Sequence, residues 1–150
     1  GADTQPLLNL AGHSTSVNLC YENLFGDEWR DAWREGSPEL LVNLSNLKWF
    51  GPNKAASQHL QISRMRAKEV ARPLLNVTNS GLTASVDARG QVLEALPSDE
   101  SALRDVVVVT EKGDRTPYVR LGDWPALLWA FAMFVVGAAL SVFLKRRQNV

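Results

Sequence analysis

Cys20 is the residue of this 150-residue chain whose type and setting offer nucleophilic chemistry. It is the only cysteine, it is followed by Tyr21 and Glu22, and it stands where a predicted strand gives way to a predicted helix. Helical amides beside such a junction stabilise a thiolate, which is the form of cysteine that attacks carbonyl carbons. A lone cysteine is more often a small buried side chain than a nucleophile, so the rest of the chain must decide between the two interpretations.

The composition argues against several other kinds of site. The 16 basic and 16 acidic residues balance, so no nucleic acid or other polyanion is expected as a partner. One cysteine cannot form an internal disulfide, and the sequence has no clustered Cys and His residues to hold a metal. It also has no phosphate-cradling glycine loop and no basic and aromatic stripe typical of nucleic-acid binding. We therefore expect no metal and no cofactor.

Strands and helices alternate along the chain around Cys20. Val17 and Leu19 alternate with Ser16 and Asn18, which is typical of a strand with one face buried. The next strand, over residues 39–46, is nearly continuously apolar, which favours a central strand buried on both faces. The other predicted elements are a loop over 1–12, a helix capped by Asp27 and running through Arg34, a loop over 49–53, a helix from Ser57 to about Ala71, a strand over 74–78, a hairpin of 82–86 with 91–96, a strand over 103–110 and a polar segment over 111–123.

This order of elements predicts an α/β layered domain. Parallel strands need a crossover between them, and only two crossover helices are predicted to support the whole sheet. Such a sheet has a thin core. We therefore expect this chain to be the C-terminal portion of a larger protein.

Residues 124–144 are 21 consecutive residues without a charge. As a helix they are long enough to cross the hydrocarbon layer of a bilayer, which is roughly 30 Å thick. Two tryptophans lie toward one end, as interfacial anchors do, and a basic run closes the other end, which marks it as cytoplasmic. A buried core helix is the alternative interpretation. The spanning interpretation predicts an extracytoplasmic domain over 1–123 and a cytoplasmic tail over 145–150.

The sequence from Cys20 onward resembles the nucleophile signature of the nitrilase superfamily, in which an aromatic and an acidic residue follow the cysteine. Phe25 and Arg30 stand five and ten residues after the cysteine, as in that signature, whereas Gly26 and Asp27 replace its common Pro and Glu. A further ordered set of motifs narrows the resemblance to the bacterial apolipoprotein N-acyltransferases. These motifs are Ser45-Asn46, Trp49-Phe50-Gly51, Gln58-His59, Met65-Arg66-Ala67, Arg72-Pro73, Thr78-Asn79-Ser80-Gly81, Thr116-Pro117-Tyr118 and Gly122-Asp123-Trp124-Pro125.

The resemblance implies the C-terminal part of a nitrilase-like αββα sandwich in the periplasm, followed by one transmembrane helix. In this family the domain is carried by a bundle of inner-membrane helices, so the complete protein is expected to be multi-pass. The family transfers an acyl chain from a phospholipid, typically phosphatidylethanolamine, through a cysteine thioester to the N-terminal amine of a diacylglyceryl-cysteine apolipoprotein. A phospholipid, a diacylated lipoprotein and the membrane are thus the expected partners.

The family pairs its cysteine with a Glu base and a Lys that helps to hold the oxyanion, and both precede the cysteine in the chain. Asp3 is the only acidic residue before Cys20, and no Lys precedes it. Neither role is assigned within this sequence. The missing N-terminal portion of the enzyme is therefore an expected partner, and this chain alone is expected to be inactive.

The resemblance implies that Cys20 is the nucleophile and that the backbone N–H of Tyr21 is a candidate donor to the oxyanion. Glu22 matches the acidic residue after the nucleophile and is expected to orient its neighbours by hydrogen bonds. The ring of Tyr21 either packs against the site or fills core.

Two further pairs are candidate substrate-binding residues. Trp49 and Phe50 either line the entrance for the acyl chain or pack in the core. Asn79 and Ser80 lie at a strand end, where sheet-based sites collect, although turn chemistry explains them nearly as well.

The remaining polar candidates receive structural interpretations. His59 would have to lie beside the cysteine to act as its base, and the family uses Glu for that purpose. His13 is expected at the surface. Three arginines have charges suited to lipid phosphates, but a solvated helix face is the preferred interpretation. They are Arg64, Arg66 and Arg72.

Two other functions stay open. One keeps the superfamily but uses water as the acceptor, which makes the protein a membrane-tethered amidase or hydrolase. The other is a non-catalytic, membrane-anchored domain that binds partners, and it predicts that Cys20→Ala leaves function intact.

Overall fold

Six strands form one mixed sheet at the centre of the structure, a computed structural model that describes residues 5–51, 54–96, 105–110 and 113–148. The spatial order of the strands follows the chain. The strands are β1 (Leu8–Leu10), β2 (His13–Leu19), β3 (Leu40–Ser45), β4 (Leu74–Thr78), β5 (Ala84–Val86) and β6 (Val92–Ala95). The helices are α1 (Gly26–Glu35), α2 (Ala55–Val70), α3 (Pro117–Leu121) and α4 (Trp124–Gln148), with 3₁₀ turns at Cys20–Leu24 and Lys48–Phe50.

The strands β2, β3 and β4 run parallel at the centre of the sheet, and α1 and α2 are the crossovers between them. The strand β1 pairs antiparallel with β2, while β5 and β6 extend the other edge in antiparallel pairing. The predicted α/β class, the strand over 74–78 and the hairpin are therefore confirmed.

One face of the sheet packs against the helices, and we call it the helix-covered face. Leu41, Leu74 and Val86 stand on one rung across β3, β4 and β5 and belong to the hydrophobic core. Burial of large apolar side chains here is the main favourable contribution to folding of the domain. The helices supply the other core side chains, which are Trp29, Trp33, Ala67, Val70 and Val119.

The opposite face of the sheet, which we call the open face, exposes apolar side chains at the carboxyl ends of the parallel strands. Leu19, Leu44 and Val77 lie on one rung across β2, β3 and β4 and are 55%, 42% and 41% exposed. The prediction that the strand over 39–46 is buried on both faces is therefore wrong at its carboxyl end, although its middle is buried.

The strand β2 buries its polar side chains. Ser16 and Asn18 lie on the helix-covered face and are buried, whereas Leu19 lies on the open face. Asn18 shares its rung with Asn43 and Asn76, so the covered face carries a polar layer near the carboxyl end of the sheet. The prediction of a strand with one buried face is confirmed, but the face that carries Val17 and Leu19 is more exposed than the face that carries Ser16 and Asn18.

The edges of the sheet differ from the predictions. Residues 8–10 form β1 instead of continuing a loop, because they turn back onto β2 at Gly12, whose φ is 88°. Residues 105–110 form no regular strand, although their valine run favours one. The start of that predicted strand, 103–104, lies outside the described residues, as do 52–53 of the predicted loop.

Both crossover helices begin earlier than predicted. The helix α1 starts at Gly26, with Phe25 as its N-cap in place of Asp27. The helix α2 starts at Ala55, and the hydroxyl of Ser57 donates to the carbonyl oxygen of Lys54 at 2.8 Å rather than capping the helix. Boundary shifts of this size are usual at helix ends.

Arg72 is a core residue, which corrects the prediction of a solvated helix face. It is 1% exposed, and its guanidinium donates at 2.6 Å to the carbonyl oxygens of both Pro38 and Gly113. The guanidinium also lies 4.7 Å from the ring centre of Trp33. Arg72 therefore ties the chain that precedes α3 to the amino end of the sheet.

Two arginines of α2 are also engaged by the protein. Arg64 Nε donates to the carbonyl oxygen of Gly90 at 2.8 Å, and Arg66 forms an ion pair with Glu69. Burial raises the pKa of the Glu69 carboxyl, and the charge of Arg66 partly opposes that shift. The prediction of a solvated face is thus wrong for these arginines too.

A short, crowded connection joins the domain to α4. Thr116 caps α3 by accepting a hydrogen bond from the N–H of Val119, and its hydroxyl donates to the carbonyl oxygen of Glu69 at 2.6 Å. Gly122 ends α3 with a φ of 58°, in the left-handed region that favours glycine, and its Cα faces the guanidinium of Arg30. The helix α4 begins two residues later.

The helix α4 is long and apolar enough to cross a membrane. Its window Trp124–Ser141 has a mean hydropathy of 1.8, and none of that window is buried inside the domain. Within the described residues this segment is therefore no core helix of the domain.

Candidate active site

Cys20 opens the 3₁₀ turn Cys20–Leu24, which directly follows β2 and which we call the cysteine turn. Its φ of 47° lies in the left-handed region, which a non-glycine residue adopts only where the surrounding structure imposes it. The thiol is free and partly exposed, and its Sγ lies 3.9 Å from the carbonyl oxygen of Asn46. The predicted position at the end of a strand is confirmed.

Glu22 fastens the cysteine turn to the strand before it. Its Oε2 accepts a hydrogen bond from the N–H of Leu19 at 2.7 Å, and its carbonyl oxygen accepts one from the N–H of Phe25 at 3.0 Å. A bond from a backbone N–H to a carboxylate is charge-assisted and stronger than a neutral one. Glu22 therefore connects β2, the cysteine turn and the start of α1 in one unit.

The ring of Tyr21 lies outside the core. It is exposed and meets the ring of Phe25 edge to face, with ring centres 5.3 Å apart and an interplanar angle of 69°. The interpretation that this ring fills core is wrong. The two rings instead form a small aromatic surface beside the thiol-bearing turn.

His59 contacts the main chain of Cys20 and makes no hydrogen bond to its sulfur. The imidazole projects from α2, is 8% exposed, and its Nε2 lies 3.3 Å from the carbonyl oxygen of Cys20. Burial lowers the pKa of His59, and the bond to Cys20 partly opposes that shift. The interpretation of His59 as the base of a Cys–His dyad therefore gains no support from the geometry.

A buried chain of hydrogen bonds lies beneath the cysteine turn. Asn23, within the turn, donates to the hydroxyl of Ser63 at 2.8 Å, and that hydroxyl donates to the side chain of Asn76 at 3.0 Å. Asn43 also donates to Asn76 at 2.9 Å, and the indole N–H of Trp29 donates to Asn23 at 3.2 Å. Partnered in this way, polar groups are held in the core at little cost, and they fix the geometry around them.

This polar layer is the part of the site that the sequence reasoning missed. Asparagine is depleted in strands, yet Asn18, Asn43 and Asn76 lie within three of them. Their equivalent positions in β2, β3 and β4 put all three side chains on one face. That repeated placement is the sequence signal from which the layer can be found.

The loops that follow β3 and β4 meet at the same edge of the sheet as Cys20. The N–H of Asn79 donates to the carbonyl oxygen of Ser45, and the N–H of Leu47 donates to that of Ser80, each at 3.2 Å. The contact of Asn46 with the sulfur brings the cysteine turn to the same place. Sites of α/β proteins lie at this carboxyl edge of the parallel strands.

Trp49 and Phe50 form the 3₁₀ turn after β3 and project from this edge. Trp49 is 88% exposed, and Phe50 is also exposed. The interpretation that these rings pack in the core of this domain is therefore wrong. They are apolar surface beside the carboxyl ends of the strands.

The other polar groups around the sheet are structural. His13 is exposed and its Nδ1 lies 2.7 Å from the carboxylate of Glu39, so its predicted surface position is confirmed. Within the described ranges of the chain, no three His, Cys, Asp or Glu side chains gather in a group that could hold a metal ion.

Residues 2–116 match the family model described as carbon-nitrogen hydrolase. The chain belongs to the carbon-nitrogen hydrolase family. The predicted membership of the nitrilase superfamily is therefore confirmed, and Cys20, with its signature, lies inside the matched region.

Within this family, the chain is similar to proteins named apolipoprotein N-acyltransferase. It is 43% identical to that of Bordetella bronchiseptica over 144 residues, which cover 93% of this chain and 26% of the relative. It is 42% identical to that of Nitrosomonas europaea over 151 residues, covering 100% of this chain and 29% of the relative. The predicted resemblance is thus confirmed, and the chain spans between a quarter and a third of the length of these curated relatives.

Solved carbon-nitrogen hydrolases share the fold. An amidase from Nesterenkonia superimposes with a TM-score of 0.55 at 22% identity, covering 66% of this chain and 39% of the amidase. A carbon-nitrogen hydrolase from Helicobacter pylori superimposes with a TM-score of 0.57 at 15% identity, covering 67% and 42%. At these identities the likeness shows the fold alone, and in both cases the chain matches less than half of the solved domain.

Proposed function

We propose that this chain is the nucleophile-bearing, C-terminal part of a membrane acyltransferase that matures lipoproteins. It would transfer a fatty acyl chain from a phospholipid through a thioester on Cys20 to the N-terminal amine of a diacylglyceryl-cysteine apolipoprotein. The observation that carries the proposal is the position of Cys20, which stands partly exposed on a left-handed turn at the carboxyl edge of the sheet. The similarity to named apolipoprotein N-acyltransferases over nearly the whole chain supports the choice of reaction.

The proposed reaction has two acyl transfers. In the first, a base takes the proton of Cys20, the thiolate attacks the ester carbonyl of the phospholipid, the C–S bond forms and the C–O bond breaks, and the leaving lysophospholipid oxygen takes that proton from the base. In the second, the lipoprotein amine attacks the thioester, the C–N bond forms, and the C–S bond breaks to return the thiolate as the amine proton passes to a base. Both tetrahedral intermediates carry an oxyanion, to which we assign the N–H of Tyr21 as a donor.

The general base and an oxyanion-binding lysine belong, in this proposal, to an N-terminal portion that packs on the open face. The rung Leu19, Leu44 and Val77 is exposed and apolar at the edge where Cys20 stands. A contiguous apolar surface of this kind marks a site of protein contact. A second sheet laid on it would complete an αββα sandwich and bring its own strand ends to the thiol.

The exposed aromatic residues suit an acyl-chain entrance. Trp49 and Phe50 present apolar surface beside the carboxyl ends of the strands, as a route for a lipid tail requires. Asn79 and Ser80 lie on the neighbouring loop, and we assign them to the polar side of the same entrance.

The membrane arrangement follows from α4. We assign residues 1–123 to a periplasmic domain, 124–144 to a membrane span and 145–150 to the cytoplasm. The uncovered apolar surface of α4 supports the span, and the basic run at its end supports the orientation.

Intact-mass measurement of the complete enzyme with phosphatidylethanolamine tests the proposal. We expect an added mass equal to one acyl group on Cys20, its loss on adding a diacylated lipopeptide, and an N-acylated peptide as product. Cys20→Ala should abolish both the adduct and the product. Absence of the adduct in the intact enzyme would overturn the thioester route, and release of free fatty acid without an acylated peptide would favour the hydrolase alternative.

A further inference from the structure

We infer that His59 is a positioning residue that holds the peptide between Cys20 and Tyr21 so that the N–H of Tyr21 faces the developing oxyanion. The inference rests on the proposed function in one respect, which is the donor role of that N–H. Its physical basis is the bond from the imidazole to the carbonyl oxygen of Cys20 at 3.3 Å.

The bond fixes the direction of the N–H because both groups belong to one peptide plane. The Cys20–Tyr21 peptide is trans, so its C=O and N–H point to opposite sides. The carbonyl oxygen points at His59 on α2. The N–H of Tyr21 must therefore point away from α2, and rotation of the plane would break the bond to the imidazole.

The same bond decides the tautomer of His59. A carbonyl oxygen only accepts, so Nε2 must carry the proton and Nδ1 must carry the lone pair. Nδ1 is buried and has no hydrogen-bond partner among the residues that the structure describes. The nitrogen that faces Cys20 thus has no lone pair to accept the thiol proton, and the imidazole acts as a donor to the main chain.

The cysteine turn needs such a holder because Cys20 has the left-handed φ of 47°. Ser63 lies one helical turn after His59 on the buried side of α2, and its hydroxyl accepts from the side chain of Asn23. Two side chains at i and i+4 on one helix therefore hold both the first residue and the fourth residue of the cysteine turn.

Two reagents separate this role from that of a base. Iodoacetamide forms a C–S bond at a saturated carbon and releases iodide without an oxyanion, whereas a p-nitrophenyl ester acylates the thiolate through one. Since Cys20 is the only cysteine, both reactions report on it alone in the full 150-residue chain in detergent micelles. The experiment compares the two rates for the wild type, His59→Leu and His59→Gln, with His13→Gln as a surface control.

We expect His59→Leu to slow acylation by the ester on the order of tenfold, which is less than deleting an oxyanion donor outright. The rate of alkylation and its pH midpoint should stay unchanged. His59→Gln should recover most of the acylation, because the glutamine amide N–H occupies nearly the position of Nε2 and donates to the same carbonyl. His13→Gln should leave both rates at the wild-type level.

Equal slowing of both reactions, with a shifted pH midpoint of alkylation, would overturn the inference in favour of a base. Unchanged acylation in His59→Leu would overturn it outright. If His59→Leu fails to fold by circular dichroism, His59→Asn replaces it, because the shorter amide does not reach the carbonyl; equal ester rates in the Gln and Asn variants would then overturn it. The two proposals can fail separately. If the complete enzyme forms no phospholipid thioester but the wild-type chain still reacts with the ester, the proposed function is wrong and the positioning role of His59 is retained.

Discussion

Near the candidate active site, the sheet buries polar side chains on one face and exposes apolar side chains on the other, which is the reverse of the usual distribution. On the helix-covered face, the rung at the carboxyl end consists of Asn18, Asn43 and Asn76, all buried. On the open face, the neighbouring rung consists of leucine and valine side chains that are exposed. Asn43 and Asn76 are held inside by a hydrogen bond between their side chains, whereas the apolar side chains of the open face stay exposed among the described residues. At the same strand ends, burial within this chain therefore differs sharply between the two faces of the sheet.

The largest expected difference between the faces is in packing energy. Leu41→Ala removes a fully buried side chain from the core, so we expect the free energy of unfolding to fall by about 3 kcal/mol or more. Leu44→Ala, in the same strand but on the open face, should cost under about 1 kcal/mol. Urea unfolding of the full chain in detergent measures both values. Similar losses at the two positions would mean that the open face is already covered.

A charge on the open face should separate folding from assembly. Leu44→Asp should change the free energy of unfolding of this chain by less than about 0.5 kcal/mol. It should weaken binding to a co-expressed N-terminal portion at least about a hundredfold, equivalent to about 2.7 kcal/mol, because the carboxylate would have to be buried. Pull-down and titration of the two portions measure this. Met65→Asp, at an exposed methionine of α2, is the matched control and should bind normally.

The polar layer should respond to loss of its central member. Asn76 accepts from Asn43 and Ser63 and donates to the carbonyl oxygen of Leu82 at 2.7 Å. Asn76→Ala leaves these buried groups unsatisfied, so we expect a loss of about 2 kcal/mol in unfolding free energy. Asn79→Ala, at an exposed residue three positions after Asn76, should cost under about 0.5 kcal/mol. An equal loss in the two variants would show that the layer contributes no more than a surface loop.

The smallest effect concerns pH. Burial lowers the pKa of His59 in the folded chain, so the unfolded chain binds the proton more readily. This contribution to stability is complete above pH 6.5, the ordinary value for histidine, and is lost as the pH falls below it. We expect the stability difference between wild type and His59→Gln to shift in favour of the variant between pH 7.5 and 5.5. A stability difference independent of pH would mean that His59 is not buried in its neutral form.

Local patterns were sufficient for much of this fold. The junction at Cys20, the hairpin around residues 87–90 and the long helix from Trp124 all depend on signals within a few neighbouring residues, and the structure contains each of them. The strand β1 was missed because its formation depends on pairing with β2 rather than on its own three residues.

The parts that failed depend on contacts between distant residues. Arg72 reads as a helix-end cation, yet its partners are 34 and 41 residues away. His59 was left without a role at the level of the sequence, because its bond joins two positions 39 residues apart and reaches a main-chain carbonyl whose position local patterns do not show. The apolar side of β2 was assigned to the interior because an alternating pattern identifies two faces without showing which surface covers each.

The connection between α3 and α4 limits how far the domain can move away from the start of α4. Two residues separate these helices, so the link is too short to act as a long flexible tether. Gly122, one of the two, lies beside the guanidinium of Arg30. Two extended residues span roughly 7 Å. In the proposed membrane setting, the short link therefore keeps the sulfur of Cys20 at a nearly fixed distance from the membrane surface. The ester group of the phospholipid and the amine of the lipoprotein must both reach the sulfur across that distance. The length of each substrate molecule would then select which substrates react.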